Sequence, residues 1–236
     1  MSEKQKKILN TVLTVVFIVA LVVFMITFAI GLPIYCRFFY YIQIRTLDLP
    51  SQAARYGISA TAQEIRQAYD EVLNFCTLPN QTFSSGIFKF TESEAGHFAD
   101  CKVLFDLNFW GLLCSGIVAL TLLLLNRFKV IAFRRPFGHR PQLLAAVISV
   151  ALPLLIVLLV VIVGFDKAFE VFHSIFFPGK SNWTFNPYTE QIITVMPEEF
   201  FMNCAIIIVV GLITFAASLI VADVVLFKRE KRMQNA

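Results

Sequence analysis

The stretch Thr91–Asn126, TESEAGHFADCKVLFDLNFWGLLCSGIVALTLLLLN, decides the fold. Thr91-Glu92-Ser93-Glu94 has the form of a capping box, in which a threonine hydroxyl and a glutamate three positions later satisfy the free amides at a helix start. Nothing between Gly96 and Gly111 would stop the helix it opens. A lone glycine costs about 1 kcal/mol relative to alanine and is tolerable near a helix start. The sequence therefore predicts one helix that begins among polar residues, passes His97 and Asp100, and ends in Leu107–Leu125. That last run is long enough for a bilayer core, which takes about 20 apolar residues.

Three further runs have the same character: Ile8–Ile30, Leu143–Val163 and Asn203–Leu226. Of the 236 residues 58% are hydrophobic and 15% charged, whereas a soluble domain has roughly 45–50% apolar and 25% charged residues. The net charge of +4 raises the question of nucleic acid, but its distribution answers against it. Of 20 basic residues, 12 fall in three places: Lys4, Lys6 and Lys7; Arg127, Lys129, Arg134, Arg135 and Arg140; and Lys228, Arg229, Lys231 and Arg232. The two remaining loops hold 8 basic and 13 acidic residues. Lysine and arginine stay on the cytoplasmic side, so both termini and the middle loop are expected inside. The first apolar run exceeds the roughly 7–15 residues of a signal-peptide core and no A-x-A-like cleavage site follows, so it is read as a retained anchor. No span carries an ionisable residue at mid-depth, Asp223 being near the cytoplasmic end, which disfavours an ion pathway.

The expected fold is an all-α integral membrane protein, a four-transmembrane-helix bundle with a small, mostly helical extracytoplasmic cap. Its segments are a tail 1–7, spans 8–33, 105–126, 142–164 and 201–227, outer segments 34–104 and 165–200, a basic loop 127–141 and a tail 228–236. Tyr35, Phe38, Phe39, Tyr40 and Tyr41 directly follow the first span and suggest an interfacial aromatic belt. Thr61-Ala62-Gln63-Glu64 is another capping box, and Ile65, Ala68, Tyr69, Val72 and Leu73 continue it at helical spacing to about Phe75. Phe83–Phe90 alternates unevenly and fits a short strand or an irregular edge. Pro153 predicts a kink in the third span. The basic loop, with Phe128, Phe133 and Phe137, suits anionic inner-leaflet lipid. Among five cysteines, Cys114 and Cys204 lie in spans. Cys36, Cys76 and Cys101 face outward, where a disulfide is permitted but one thiol must stay unpaired.

Two of three histidines attract attention. His97 precedes the second span and His173, in Phe169-Glu170-Val171-Phe172-His173-Ser174-Ile175-Phe176-Phe177-Pro178, follows the third. If both segments are helical, each imidazole stands roughly 12–15 Å beyond its span's apolar end, on the same side. Asp100, three residues after His97, shares its helical face and could orient the ring. As a bland alternative, the pair is an exposed contact worth about 0.3 kcal/mol. His97, Asp100 and His173 would also form a two-histidine, one-carboxylate metal set, though no HExxH or paired-cysteine spacing supports it. Ser174 and Cys101 lie beside histidine-bearing positions, but an adjacent residue on a helix points elsewhere, and no G-x-S-x-G elbow is present. Phe172, Phe176, Phe177 and Trp183 are candidates for an acyl-chain wall, or for residues that seat the loop on the membrane. His139, among arginines of the basic loop, is read as a solvated or phosphate-facing charge.

Four spans with both ends inside, the segment Glu94-Ala95-Gly96-His97-Phe98-Ala99-Asp100-Cys101-Lys102, and the later Phe172-His173-Ser174-Ile175-Phe176-Phe177 with Trp183-Thr184-Phe185-Asn186-Pro187 resemble the bacterial lipoprotein intramolecular transacylase family, Lit. The resemblance covers nearly the whole chain in layout, and its specificity lies in the two histidine neighbourhoods. It implies an enzyme of the bacterial cytoplasmic membrane whose site faces outward. Such an enzyme moves the sn-2 acyl chain of a diacylglyceryl-modified lipoprotein N-terminus to the free α-amine, leaving a lyso-form lipoprotein. It also implies His97 and His173 as catalytic residues, with Glu94, Asp100 and Lys102 as supporting positions. No cofactor, metal, nucleic acid or obligate protein partner is implied, only the lipoprotein and membrane lipid. A non-enzymatic four-span scaffold or chaperone and a metal-dependent membrane hydrolase are the alternatives.

Overall fold

A computed structural model describes Met1–Gln234; for Leu152, Ile156, Leu159, Arg229, Glu230, Lys231 and Gln234 only the backbone is described. Asn235 and Ala236, the end of the expected C-terminal tail 228–236, lie outside the described residues. The order is α1 (Glu3–Tyr35), α2 (Arg37–Thr46), α3 (Leu49–Ala54), α4 (Ala62–Thr77), α5 (Glu92–Arg127), α6 (Pro141–Val163), α7 (Phe165–Phe176) and α8 (Glu198–Gln234). Short 3₁₀ turns lie at Pro136–Gly138 and Gln191–Thr194. There is no strand among the described residues, so Phe83–Phe90 is irregular. Helices α1, α5, α6 and α8 are each long and apolar enough to cross a membrane. Pro153 sits within an unbroken α6.

The chain divides into two compact units. The first comprises Met1–Ile30, Phe109–Val157 and the chain from Ile208 onward. Its core joins Phe17, Leu21 and Met25 to Leu122 and Leu212, and alanines at 20, 29, 119, 145, 146 and 216 keep the helices close. Small residues serve this purpose in lipid, where packing replaces the hydrophobic effect as the force between helices. The basic loop is not merely draped on lipid. Asn10 accepts from the Ala132 amide at 3.2 Å, Thr14 from Arg134 at 2.9 Å and Asn126 from Phe133 at 2.9 Å. Phe133 stacks on Phe17 with centroids 4.5 Å apart. Arg140 pairs with Asp223 at 3.1 Å.

The second unit, Gly31–Asn108 with Leu158–Ile207, holds both of the longer segments between spans. The Thr61 box is complete: the Glu64 amide donates to the Thr61 hydroxyl and the Glu64 carboxylate accepts from the Thr61 amide. The α4 face it starts buries Ile65, Ala68, Tyr69, Val72 and Leu73. The aromatic belt needs correction. Phe38 is exposed, but Tyr40 is fully buried, stacks on Tyr69 with centroids 3.7 Å apart, and donates its hydroxyl to the Val195 carbonyl at 2.7 Å. Tyr41 donates to Asp70, which also binds Arg37 at 2.8 Å. All five cysteines are free.

The turn after α4 depends on glycine. Gly86 has φ +62, and a Cβ there would come within 3.1 Å of the Ala68 Cβ. Its amide and the Ser84 hydroxyl both donate to the Glu71 carboxylate, at 2.9 and 2.5 Å. Gly86→Ala should therefore destabilise the protein by about 1–2 kcal/mol, seen as a lower thermal unfolding midpoint in detergent; an unchanged midpoint would show that the turn can shift to admit a side chain.

Candidate functional site

Burial and hydrogen bonding put His97 and His173 side by side within the second unit. His97 lies on α5 and His173 on α7; each is 6% exposed, and their ring centroids are 5.8 Å apart. On α7 the His173 Nδ1 is 2.8 Å from the Phe169 carbonyl one turn back. A carbonyl only accepts, so Nδ1 carries the proton and Nε2 keeps its lone pair in the neutral ring. Among the described residues Nε2 has no hydrogen-bond partner. Burial lowers the pKa of His173, partly offset by that carbonyl. Burial, and then the charge of His173, push His97 down to about 4, against the pull of Asp100. Both rings are thus neutral at pH 7.

Aromatic rings enclose the pair. Phe169 and Trp183 lie against His173 with centroids at 4.2 and 4.6 Å, and Phe177 and Phe185 meet His97 at 4.9 and 5.5 Å. The expected wall therefore splits. Phe177 is buried against the imidazoles and Trp183 covers His173, whereas Phe172 and Phe176 pack on each other at 4.7 Å and stay about half exposed. Phe169 and Phe185 were passed over in the sequence, although Phe169 is one helical turn from His173.

Three polar neighbours differ from expectation. Cys101 lies one turn after His97, and its Sγ is 3.4 Å from His97 Nε2. Sequence reading set this thiol aside as an adjacent residue, when the spacing that matters is four. Burial, then Asp100, push the Cys101 thiol up to about 12, so it stays protonated and can donate to Nε2, leaving the His97 proton on Nδ1. Nδ1 is buried with no hydrogen-bond partner. Asp100 makes no hydrogen bond to His97; its carboxylate takes Lys180 and, at 3.2 Å, the Asn182 amide. Lys102 points away from the histidines, its ammonium donating to the Phe75 and Leu78 carbonyls at 2.6 Å each and so capping the end of α4. His97, Asp100 and His173 do not converge into a group that could hold a metal, and no such group occurs among the described residues.

Glu94 is the least expected feature. The capping box at Thr91 is half made: the Glu94 amide donates to the Thr91 hydroxyl at 3.2 Å, but the Glu94 side chain turns inward. It is fully buried, neither carboxyl oxygen has a partner, and burial followed by the nearby Glu190 charge pushes its pKa up to about 8. Thr91 gives its hydroxyl proton to Glu190 at 2.6 Å, and the Asn186 amide donates to the other Glu190 oxygen at 2.8 Å. Lys89 and Gln191 exchange two further bonds, each 2.9 Å. The chain before α5 and the chain after α7 are thereby tied together at the start of α5.

The family model described as lipoprotein intramolecular transacylase Lit matches residues 15–201. A solved structure of the membrane-integral lipoprotein intramolecular transacylase Lit from Bacillus cereus superposes with a TM-score of 0.82 at 20% identity, covering 95% of this chain and 98% of that one. A histidine-to-arginine variant of the same Bacillus cereus protein gives 0.79 at 21% identity, covering 98% and 97%. No curated protein sequence matches the chain. The solved structures show the fold: an all-helical, multi-pass membrane protein.

Glu94 also sets a pH dependence of stability. Its pKa is raised from an unfolded value near 4.3 to about 8, so the folded protein holds a proton that the unfolded chain releases. That contribution is complete below the unfolded value and is lost as pH rises through the folded one. The unfolding midpoint of Glu94→Gln should therefore gain on the wild type as pH rises from about 4 to 8. A constant difference across that range would mean that Glu94 ionises freely.

Proposed function

The chain belongs to the lipoprotein intramolecular transacylase family, Lit, and on that premise we propose that His97 and His173 carry out the acyl transfer. The enzyme is an acyltransferase acting on lipoproteins. The observation that supports the histidine assignment is the buried pair itself, with centroids 5.8 Å apart and complementary free nitrogens. In this reading the substrate is an N-terminal cysteine bearing a thioether-linked diacylglycerol and a free α-amine.

His173 Nε2 is the base. Its lone pair takes the proton of the amine as the nitrogen attacks the sn-2 ester carbon. The carbonyl oxygen gains the negative charge and receives the Nδ1–H of His97, a neutral donor because burial keeps its pKa near 4. Such a donor contributes about 3–4 kcal/mol in comparable sites. The intermediate collapses by breaking the bond between that carbon and the glycerol oxygen, which takes the proton back from the His173 imidazolium. One amide forms, one ester breaks and the proton taken from the neutral amine returns on the glycerol oxygen; a substrate that arrives as the ammonium first releases one proton to solvent, so turnover yields one proton. Attack closes a ring of about eight atoms within one molecule, so the enzyme's task is orientation. Cys101 stays a thiol and serves as the S–H donor that sets the His97 tautomer. Phe169, Phe177, Phe185 and Trp183 exclude water from the reacting ester.

We further place the site on the extracytoplasmic face with both termini in the cytoplasm, on the distribution of basic residues. The spans 8–33, 105–126, 142–164 and 201–227 follow from the same reading.

His97→Ala and His173→Ala should each lower formation of the lyso-form by 10²-fold or more, read by mass spectrometry of a lipoprotein N-terminus after confirming insertion. His139→Ala, Ser174→Ala and Cys101→Ser should stay within a few-fold of wild type; full activity in His97→Ala or His173→Ala would refute the acid–base assignment. His173 must be neutral to act, and its lowered pKa places the loss of kcat/KM due to this ring on acidification below pH 6.5 rather than at it. For topology, a reporter active only outside the cytoplasm should work when fused after Gln81 and fail after Lys129. The reverse pattern would invert the protein.

A further inference from the structure

The mechanism leaves Asp100 without a task. Its carboxylate lies on the turn of α5 after His97, yet both oxygens are turned to a different segment. One takes the Lys180 ammonium and the other Asn182 Nδ2 at 3.2 Å. The Asp100 side chain is 22% exposed and that of Lys180 48%, so the pair is more open than the histidines. Only the NH₂ of Asn182 can donate to a carboxylate, which fixes the amide orientation and turns Oδ1 elsewhere. That oxygen is buried with no hydrogen-bond partner. The Asp100 carboxylate, held in place by the Asn182 amide, is a ready acceptor for a primary ammonium.

One primary ammonium is already there, on Lys180. The substrate brings another, the α-ammonium of its terminal cysteine, protonated until it releases a proton to solvent ahead of the attack. We propose that Asp100 and Asn182 form the subsite for the substrate's α-ammonium, and that Lys180 is its internal occupant, displaced when the lipoprotein binds. This rests on the transacylase reading above. The other carboxylates near the pair do not suit the task. Glu94 is fully buried, and Glu190 is taken up by Thr91 and the Asn186 amide. Asp100 lies one turn from His97 on α5, and both Asp100 and Lys180 act on the charge of that ring, so an ammonium held there stands close to His97. The exchange also reaches the cover of the site. Trp183 donates its indole N–H to the Lys180 carbonyl at 3.0 Å while stacked on His173.

The test uses the purified full-length protein and two unreactive lipopeptides in which ethers replace the esters, one with a free α-amine and one Nα-acetylated. Binding is titrated at pH 6.5, where the amine is protonated. The wild type should prefer the free-amine probe by about tenfold, the scale of one charged hydrogen bond. Asp100→Asn should remove the preference and Lys180→Met should enlarge it. Retention of the full preference in Asp100→Asn overturns the proposal, and so does an unchanged or weakened preference in Lys180→Met. Should Asp100→Asn fail to fold, the Lys180→Met result decides alone, because that variant keeps the carboxylate. Transfer activity surviving in the histidine variants would sink the acid–base assignment instead, and leaves this binding comparison readable.

Discussion

Two imidazoles from distant segments are buried against each other, and the cost of burying them governs what surrounds them. A buried, charged imidazole beside another is penalised twice, by loss of water and by repulsion. The protein meets this by keeping both rings neutral. It then spends its local hydrogen bonds on tautomers rather than on charge, with the Phe169 carbonyl at one ring and the Cys101 thiol at the other. The aromatic enclosure follows from the same constraint, since neutral rings tolerate apolar neighbours that an imidazolium would not.

Keeping the pair in register requires the two segments that carry the histidines to be fastened together. The bonds between Thr91 and Glu190, and between Lys89 and Gln191, do this at the first turn of α5. Glu94 stays buried beside Glu190 without partners, so the join has a built-in electrostatic conflict, eased by protonating one of the two carboxyls. Lys102 fastens α4 to α5 by capping the last carbonyls of α4. Supporting charges near the histidines thus have different tasks, and proximity in sequence does not distinguish them.

Local features were legible in the sequence and long-range ones were not. The apolar runs and the Thr61 box need only neighbouring residues, and α1, α5, α6, α8 and the start of α4 match them. Tyr40 looked like a membrane-surface ring because its partner, the Val195 carbonyl, is 155 positions away. Asp100 looked like the partner of His97 because Lys180, 80 positions away, could not be seen to claim it. Glu94 was taken for a cap because the box pattern is indifferent to whether its second half turns inward. Cys101 was the avoidable miss. Four positions on a helix is one turn, and the contact with His97 was readable without any structure.

The ion pair of Asp100 with Lys180 bears on how turnover ends. In the proposed subsite, acylation converts the substrate's ammonium into a neutral amide, which lacks the charge and two of the three donors that the Asp100 carboxylate favours. The lysine, tethered a short distance away at high effective concentration, retakes the carboxylate as soon as the competing cation has vanished. Product is thereby disfavoured by the very bond the reaction makes. An already N-acylated lipoprotein, arriving from the membrane, meets a gate that its own chemistry cannot turn.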